Sequence, residues 1–476
     1  MTVRSWRAVL LTAMLATSAI QSTSAIGAAG RPQTASPTEV PAGYAITGVA
    51  VVDVEKGLVR PDQTVIVSGD RIERIGPRAA VPVQKNLRVI DGRGQFLMPG
   101  LMDAHVHFAD PPVFGRLMIA NGVLTVRDMG QPNESALALR SALNSGAMLG
   151  PEMVVTGWIL DGVPPLVAQA SIGVKTPDEG RAAVRKQAEA GVDQIKVYST
   201  LEKDVFLAIV DEAKRVGLKP VGHVPESVYV EDAATAGLRS IEHLHGFGKL
   251  LGRLLGEAIV LKAGGIGTDI DFWPRLAGVN RDALRAALRR IAASGATLCP
   301  TVMTFKAFAD LSESALAART YPLSEYVSPV VEGYWKAFWV PSQRTLMEKT
   351  WPPMASFVAA LHRAGVPLMV GTDLLMAGVV AGHSVHEEMA LWQEAGIPAI
   401  DVLRSATIVP ARFMGRDGRV GTVAEGKVAS VVLVRANPLE NIRNAQQIEG
   451  VFLRGRYYDR ADLDQVLKEA KGLARR

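Results

Sequence analysis

Residues 101–107 read Leu-Met-Asp-Ala-His-Val-His. A short apolar run ends in two imidazoles separated by one residue. Side chains alternate across a strand, so His105 and His107 point to the same side. Two neutral imidazoles held that way can share one metal ion. An H-x-H pair alone is a weak signal, and its weight comes from what recurs downstream. Further short apolar runs lie at 123–129, 153–159, 194–198, 220–224, 240–244, 296–301 and 367–373. Helical stretches follow most of them, among them 178–190, 204–216, 230–236 and 281–294. Eight strand–helix units predict an α/β fold, a (β/α)8 TIM barrel over residues 99–414.

Of the 8 histidines, His105, His107, His223, His243 and His245 fall at or just beyond the C-terminal ends of these predicted strands. In a barrel that end carries the chemistry. Asp373, in Gly-Thr-Asp, closes the last predicted strand. Lys196 stands among apolar residues in Asp-Gln-Ile-Lys-Val-Tyr. It reads either as a buried lysine paired with an acid, or as one whose stem runs out of the strand end. Burial would lower its pKa, and a neutral amine can add carbon dioxide to give a carbamate able to bridge two metal ions. Arg127 and Asp128 are expected to form a structural ion pair.

The ordered set Leu101 to His107, Lys196, His223, His243 and Asp373 resembles the amidohydrolase superfamily. It is most similar to the imidazolonepropionase-like and Xaa-Pro dipeptidase-like branch, which includes zinc carboxypeptidase-type enzymes. The resemblance implies two divalent metal ions, most often Zn2+. His105, His107 and Asp373 would hold one, His223 and His243 the other, and carboxylated Lys196 would bridge them. Asp373 would also be the catalytic acid–base group. A one-metal site of deaminase or imidazolonepropionase type, without Lys196 as a ligand, is the main alternative. The segments 45–98 and 415–460 alternate like β structure, and the resemblance makes them the two parts of a small β-sandwich domain. Residues 461–476 read as a C-terminal helix or tail.

The implied reaction is hydrolysis of an amide or peptide bond by a metal-bridging hydroxide. Expected substrates are N-acyl amino acids, dipeptides or aryl amides with an apolar group. The same site could open a lactone, ester or organophosphate, or act on one metal as a deaminase or cyclic-amide hydrolase. A non-enzymatic homologue is disfavoured, because no ligand is missing. Tyr198 shares the face of Lys196 and is a candidate substrate contact, as are His245 and His383. The Ile-Glu-His-Leu-His order at 241–245 departs from the family's Ile-Glu-His-Gly, and the Glu-His pair favours His243 as the ligand. His386 and His362 read as packing or capping residues. The long stretch 304–352 carries 9 of the 27 aromatic residues. It reads as a lid insertion, with Trp335 and Trp339 facing an apolar substrate group, or else as an interface between subunits.

Residues 1–25 pair Arg4 and Arg7 with the apolar run 8–20 and the small residues Thr23-Ser24-Ala25. They read as a signal peptide, too short to span a bilayer, and place the protein in the secreted or periplasmic space without a stable membrane anchor. Residues 26–44 read as a linker. The formal charge of +5 falls by the two leader arginines on processing. No basic stripe interleaved with aromatics appears, so nucleic acid is not an expected partner. Small molecules or short peptides are, and a homo-oligomer is left open. The single cysteine, Cys299, excludes a disulfide scaffold and any Cys-rich metal site.

Overall fold

Val, Ile and Leu crowd the short runs of this chain, as they do in strands buried on both faces. The computed structural model describes residues 43–259, 261, 270–338 and 341–476. The proposed leader, nearly all of the linker and Trp339 lie outside the described residues.

The N-terminal part contributes β1 (Gly43–Asp53), β2 (Leu58–Ser68), β3 (Arg71–Pro77), β4 (Arg88–Asp91) and β5 (Phe96–Pro99). Then come β6 (Leu101–Val106), β7 (Val123–Asp128), β8 (Glu152–Val155), β9 (Ile159–Asp161) and β10 (Ser171–Gly173). They are followed by β11 (Gln194–Val197), β12 (Lys219–Gly222), β13 (Ser240–Glu242) and β14 (Thr297–Cys299). The C-terminal part adds β15 (Val431–Val434), β16 (Ile448–Leu453) and β17 (Arg456–Asp459).

Both ends of the chain build one sheet, in the order β17-β16-β15-β5-β1-β2-β3, with β4 beside β1. The seam between the ends is β5 against β15, where Leu97 stands opposite Leu433. Ile46, Val65, Leu97, Leu433 and Phe452 from both ends share one apolar cluster. Burying that cluster requires both ends, which is why segments separated by three hundred residues of chain combine.

Between them, β6, β7 and β8 form one parallel sheet, and β10-β9-β11-β12-β13-β14 a second. The ladders do not close into one barrel among the described residues. Each departure from the expected eight strands has a local cause. The run 153–159 is split into β8 and β9 at Gly157, whose φ is +65°. The run 367–373 pairs only through single bridges, Leu298 with Leu368 and Val106 with Leu374. There Asp373 (φ +54°) and Leu375 (φ +107°) leave the extended region. Backbone hydrogen bonds still tie the segment on both sides, Ala104 N to Val370 O at 2.9 Å and Met369 N to Leu298 O at 2.8 Å. Gly371 permits this: a Cβ there would lie 2.4 Å from Cys299 Sγ and 2.9 Å from His105 N. Cys299 is fully buried.

Helices connect the parallel strands, and their ends are written in sequence. Thr176 Oγ1 accepts Glu179 N at the start of Pro177–Ala190, and Gly191 ends it at φ +85°. Asn280 and Gly295 do the same for Arg281–Ser294, whose Ala287, Leu288 and Ile291 are buried. The stretch expected as a lid contains Glu313–Ala318, Pro329–Phe338 and the start of Pro341–Arg363. It is largely packed into the main core through Leu316, Tyr321, Val331, Trp335 and Met347. Among the described residues no helix is long and apolar enough to cross a membrane.

Candidate metal centre

Asp373 stands at the meeting point of three imidazoles. Its Oδ1 lies 3.5 Å from His105 Nε2 and 3.6 Å from His107 Nε2, and its Oδ2 lies 3.8 Å from His243 Nδ1. The backbone delivers it there: Asp373 N donates to His105 O at 2.9 Å. Donor atoms of His105, His243 and Asp373 all fall within 4.8 Å of one another. The rings of His223 and His243 stand edge to face, with centroids 5.0 Å apart. The histidines and the aspartate predicted as ligands are therefore gathered in space from four chain segments.

His105 is fully buried. Its Nδ1 lies 2.8 Å from Glu242 Oε2, while its Nε2 has no hydrogen-bond partner among the described residues. A buried polar atom without a partner is costly, and a cation between His105 Nε2 and Asp373 would remove that cost. The donor set, imidazole nitrogens with a carboxylate, suits a divalent metal ion such as zinc.

Each ring is fixed by a group behind it. Glu242 is itself held by Arg127, whose Nη2 donates to Oε1 at 2.9 Å and Oε2 at 3.0 Å. Arg127 Nε also donates to Ala104 O at 2.5 Å. The expected Arg127–Asp128 ion pair is thus corrected. Neighbours on a strand point to opposite faces, so Asp128 instead accepts Phe108 N at 3.0 Å and Gly130 N at 3.3 Å. His107 Nδ1 lies 3.4 Å from Gly130 O, His223 Nδ1 2.9 Å from Ser199 Oγ, and His243 Nδ1 2.8 Å from Thr301 Oγ1. The ring of His223 is stacked between Tyr198, at 4.0 Å and 28°, and His245, at 4.3 Å and 21°.

Lys196 is 1% exposed on β11, with its Nζ 5.7 Å from the Tyr198 ring centre. Gly222 makes room for it: a Cβ at that residue would lie 3.0 Å from Lys196 Cδ. Burial holds all four imidazoles below the usual histidine range, so they are neutral at pH 7 and able to ligate. Burial pushes Asp373 up, against the pull of Lys196. It pushes Lys196 down, against Glu242 and Asp373. A depressed lysine pKa leaves a larger neutral fraction, the form that adds carbon dioxide.

The remaining candidates divide. Tyr198 and His245 are brought to the cluster by the ring stack. His383 opens helix His383–Glu394 and takes part in none of the ring contacts above. His386 is buried, with Nε2 2.9 Å from Asn121 O, and His362 meets Asp401 at 3.2 Å. Trp335, expected to face substrate, is fully buried and packs on Tyr321 at 5.4 Å. Its neighbour Tyr334 was not singled out from sequence. Burial, and then the negative charge of Asp373, raise its hydroxyl pKa, so Tyr334 lies within electrostatic reach of the centre. Glu242 was readable beside His243 in Ile-Glu-His; the hydroxyls of Ser199 and Thr301 follow no spacing rule.

Comparison with known proteins fits this geometry. The chain is 34% identical over 103 residues to an adenine deaminase of Paracoccus denitrificans, a match spanning 21% of this chain and only 17% of that protein. It is 22% identical over 447 residues to ochratoxinase of Aspergillus niger, spanning 81% of this chain and 80% of that one. Among solved structures, a bottromycin amidohydrolase superposes with a TM-score of 0.71 at 25% identity, over 92% of this chain and 91% of that chain. A Xaa-Pro dipeptidase with methionine in its active site superposes at 0.64 and 21% identity, over 87% and 99%. These likenesses imply a TIM-barrel fold with α/β content for the chain, whose described parallel strands form two sheets. Residues 96–457 match the family model described as "Amidohydrolase family", and the chain is accordingly a hydrolase belonging to the amidohydrolase family.

Proposed function

We propose that this protein cleaves the amide or peptide bond of a small molecule carrying an apolar group, and that it does so on two divalent metal ions at the end of a (β/α)8 barrel. The observation that carries the reading is the unpartnered, buried Nε2 of His105 beside Asp373, inside a ring of neutral imidazoles. His105, His107 and Asp373 would hold one ion, His223 and His243 the other, with carboxylated Lys196 between them. When bound, such ions polarise a carbonyl and make a water acidic enough to ionise near neutrality.

The chain's own residues do the rest. Asp373, with its pKa raised by burial, is suited to take the proton of the attacking water and pass it to the departing nitrogen. Glu242, Ser199 and Thr301 hold the imidazoles in one orientation. Tyr198 and His245, stacked on His223, are the candidates to contact a substrate carbonyl, and the Tyr334 hydroxyl, within electrostatic reach of Asp373, is a third. The aromatic stretch 304–352 supports an apolar substrate group, with Tyr334 rather than Trp335 at the contact. The names of the bottromycin amidohydrolase and Xaa-Pro dipeptidase neighbours support an amide or peptide bond. The leader-like residues 1–25 support a site of action outside the cytoplasm.

A second reading, deamination at one metal ion, is favoured by the compactness of the His105, His243 and Asp373 group alone and by the adenine deaminase match. A panel of N-acyl amino acids, Xaa-Pro dipeptides, aryl amides, lactones and adenine separates these. Amine release from the amides or dipeptides is expected. Ammonia from adenine, with the amides untouched, would replace this reading by the second.

A further inference from the structure

Thr301 sits where β14 gives way to helix Val302–Asp310, at φ +49°. That conformation is rare for a β-branched residue and needs something to hold it. Glu388, buried on helix His383–Glu394, supplies it. Its carboxylate accepts Val302 N at 3.0 Å and Met303 N at 2.6 Å. These are opening amides of a helix, which have no partner within it and favour a negative group. Trp392 Nε1 holds the same carboxylate at 2.9 Å. One turn on, Thr304 Oγ1 donates to Thr372 O at 2.7 Å, tying this corner to the residue before Asp373.

The pinned Thr301 places its Oγ1 2.8 Å from His243 Nδ1. We propose that Thr301 accepts the Nδ1 hydrogen of His243 and that Glu388 acts through Thr301, the two being positioning residues for metal binding. The inference rests on the two-metal reading above. A neutral imidazole has one N–H and one lone pair. With the hydrogen committed to Thr301, the Nε2 lone pair is left for the ion. A helix that follows the eighth barrel segment thus sets the tautomer of a ligand on the sixth strand.

The test is zinc affinity of the full-length protein, freed of metal and titrated against a chromophoric chelator, with melting temperature read alongside. Thr301→Val and Glu388→Gln are each expected to weaken zinc binding about 10- to 100-fold, the usual effect of losing a group behind a metal-bound histidine. Thr301→Ser, which keeps the hydroxyl, should stay within about threefold by the same reasoning. The double variant should bind no more weakly than Thr301→Val alone, because coupled residues are not additive. If Thr301→Val fails to fold, Thr301→Ala takes its place. Wild-type affinity in the valine or alanine variant would overturn the proposal, and so would full additivity in the double variant. A wild-type protein that binds no zinc would instead overturn the metal reading on which the proposal stands.

Discussion

Asp373 keeps its place through a strained backbone, φ +54°, and three imidazoles converge on it. Replacing it by Asn preserves size and most contacts but removes the carboxylate proposed to carry the proton. The expected outcome is a fall in kcat of about 10²–10⁴-fold with an unchanged circular dichroism spectrum. Near-wild-type turnover would show that another group moves the proton. Behind His105, the Arg127–Glu242 pair has no exposed side-chain surface. Glu242→Gln would leave the guanidinium buried without its counter-charge, so urea unfolding should report a loss of about 3–5 kcal/mol. The ligand candidates were legible because period-two spacing and strand-end position are local properties. Apart from Glu242, readable in Ile-Glu-His, their supporting partners were not. Thr301 meets His243 across 58 positions of sequence, and Arg127 meets Glu242 across 115. Read locally, Arg127 suggested its neighbour Asp128, which the strand turns the other way.

At the scale of elements, short runs bounded by Gly, Pro or Asp were readable as strands and the stretches between them as helices; the caps Thr176 and Asn280 emerge from the structure. The two runs that misbehave are those bent by positive φ values at Gly157, Asp373 and Leu375. At the last two, the chain leaves the extended form at and just after the candidate ligand Asp373. Helix Pro329–Phe338 shows the limit of composition. Its aromatic richness suggested a lid, but which ring faces inward depends on a helical phase that composition does not carry. Trp335→Ala should destabilise the fold by about 3–5 kcal/mol in urea while leaving the ranking of substrates unchanged. Tyr334→Phe should lower kcat/KM about tenfold, the worth of one hydrogen bond to a developing charge, with little change in melting temperature. A reversal of these two phenotypes would put Trp335, not Tyr334, against the substrate.

At the scale of the molecule, the terminal sheet makes the ends of the chain interdependent. β15 lies between β5 and β16, so a chain cut after Leu439 would leave β15 as an open edge and take Phe452 out of the apolar cluster that holds Val431 and Leu433. Such a truncation is expected to be insoluble or to unfold at a lower temperature. The parallel strands between the ends present His, Asp and Lys side chains at one site, and ions bound only by the folded protein would add to its stability. Metal content is therefore the most direct measurement of the central claim. Elemental analysis of the purified full-length protein should find two divalent ions per chain. Chelation should abolish amide hydrolysis and lower the melting temperature, and zinc should restore both. Undiminished amide hydrolysis by a chain shown to be free of metal would contradict the account.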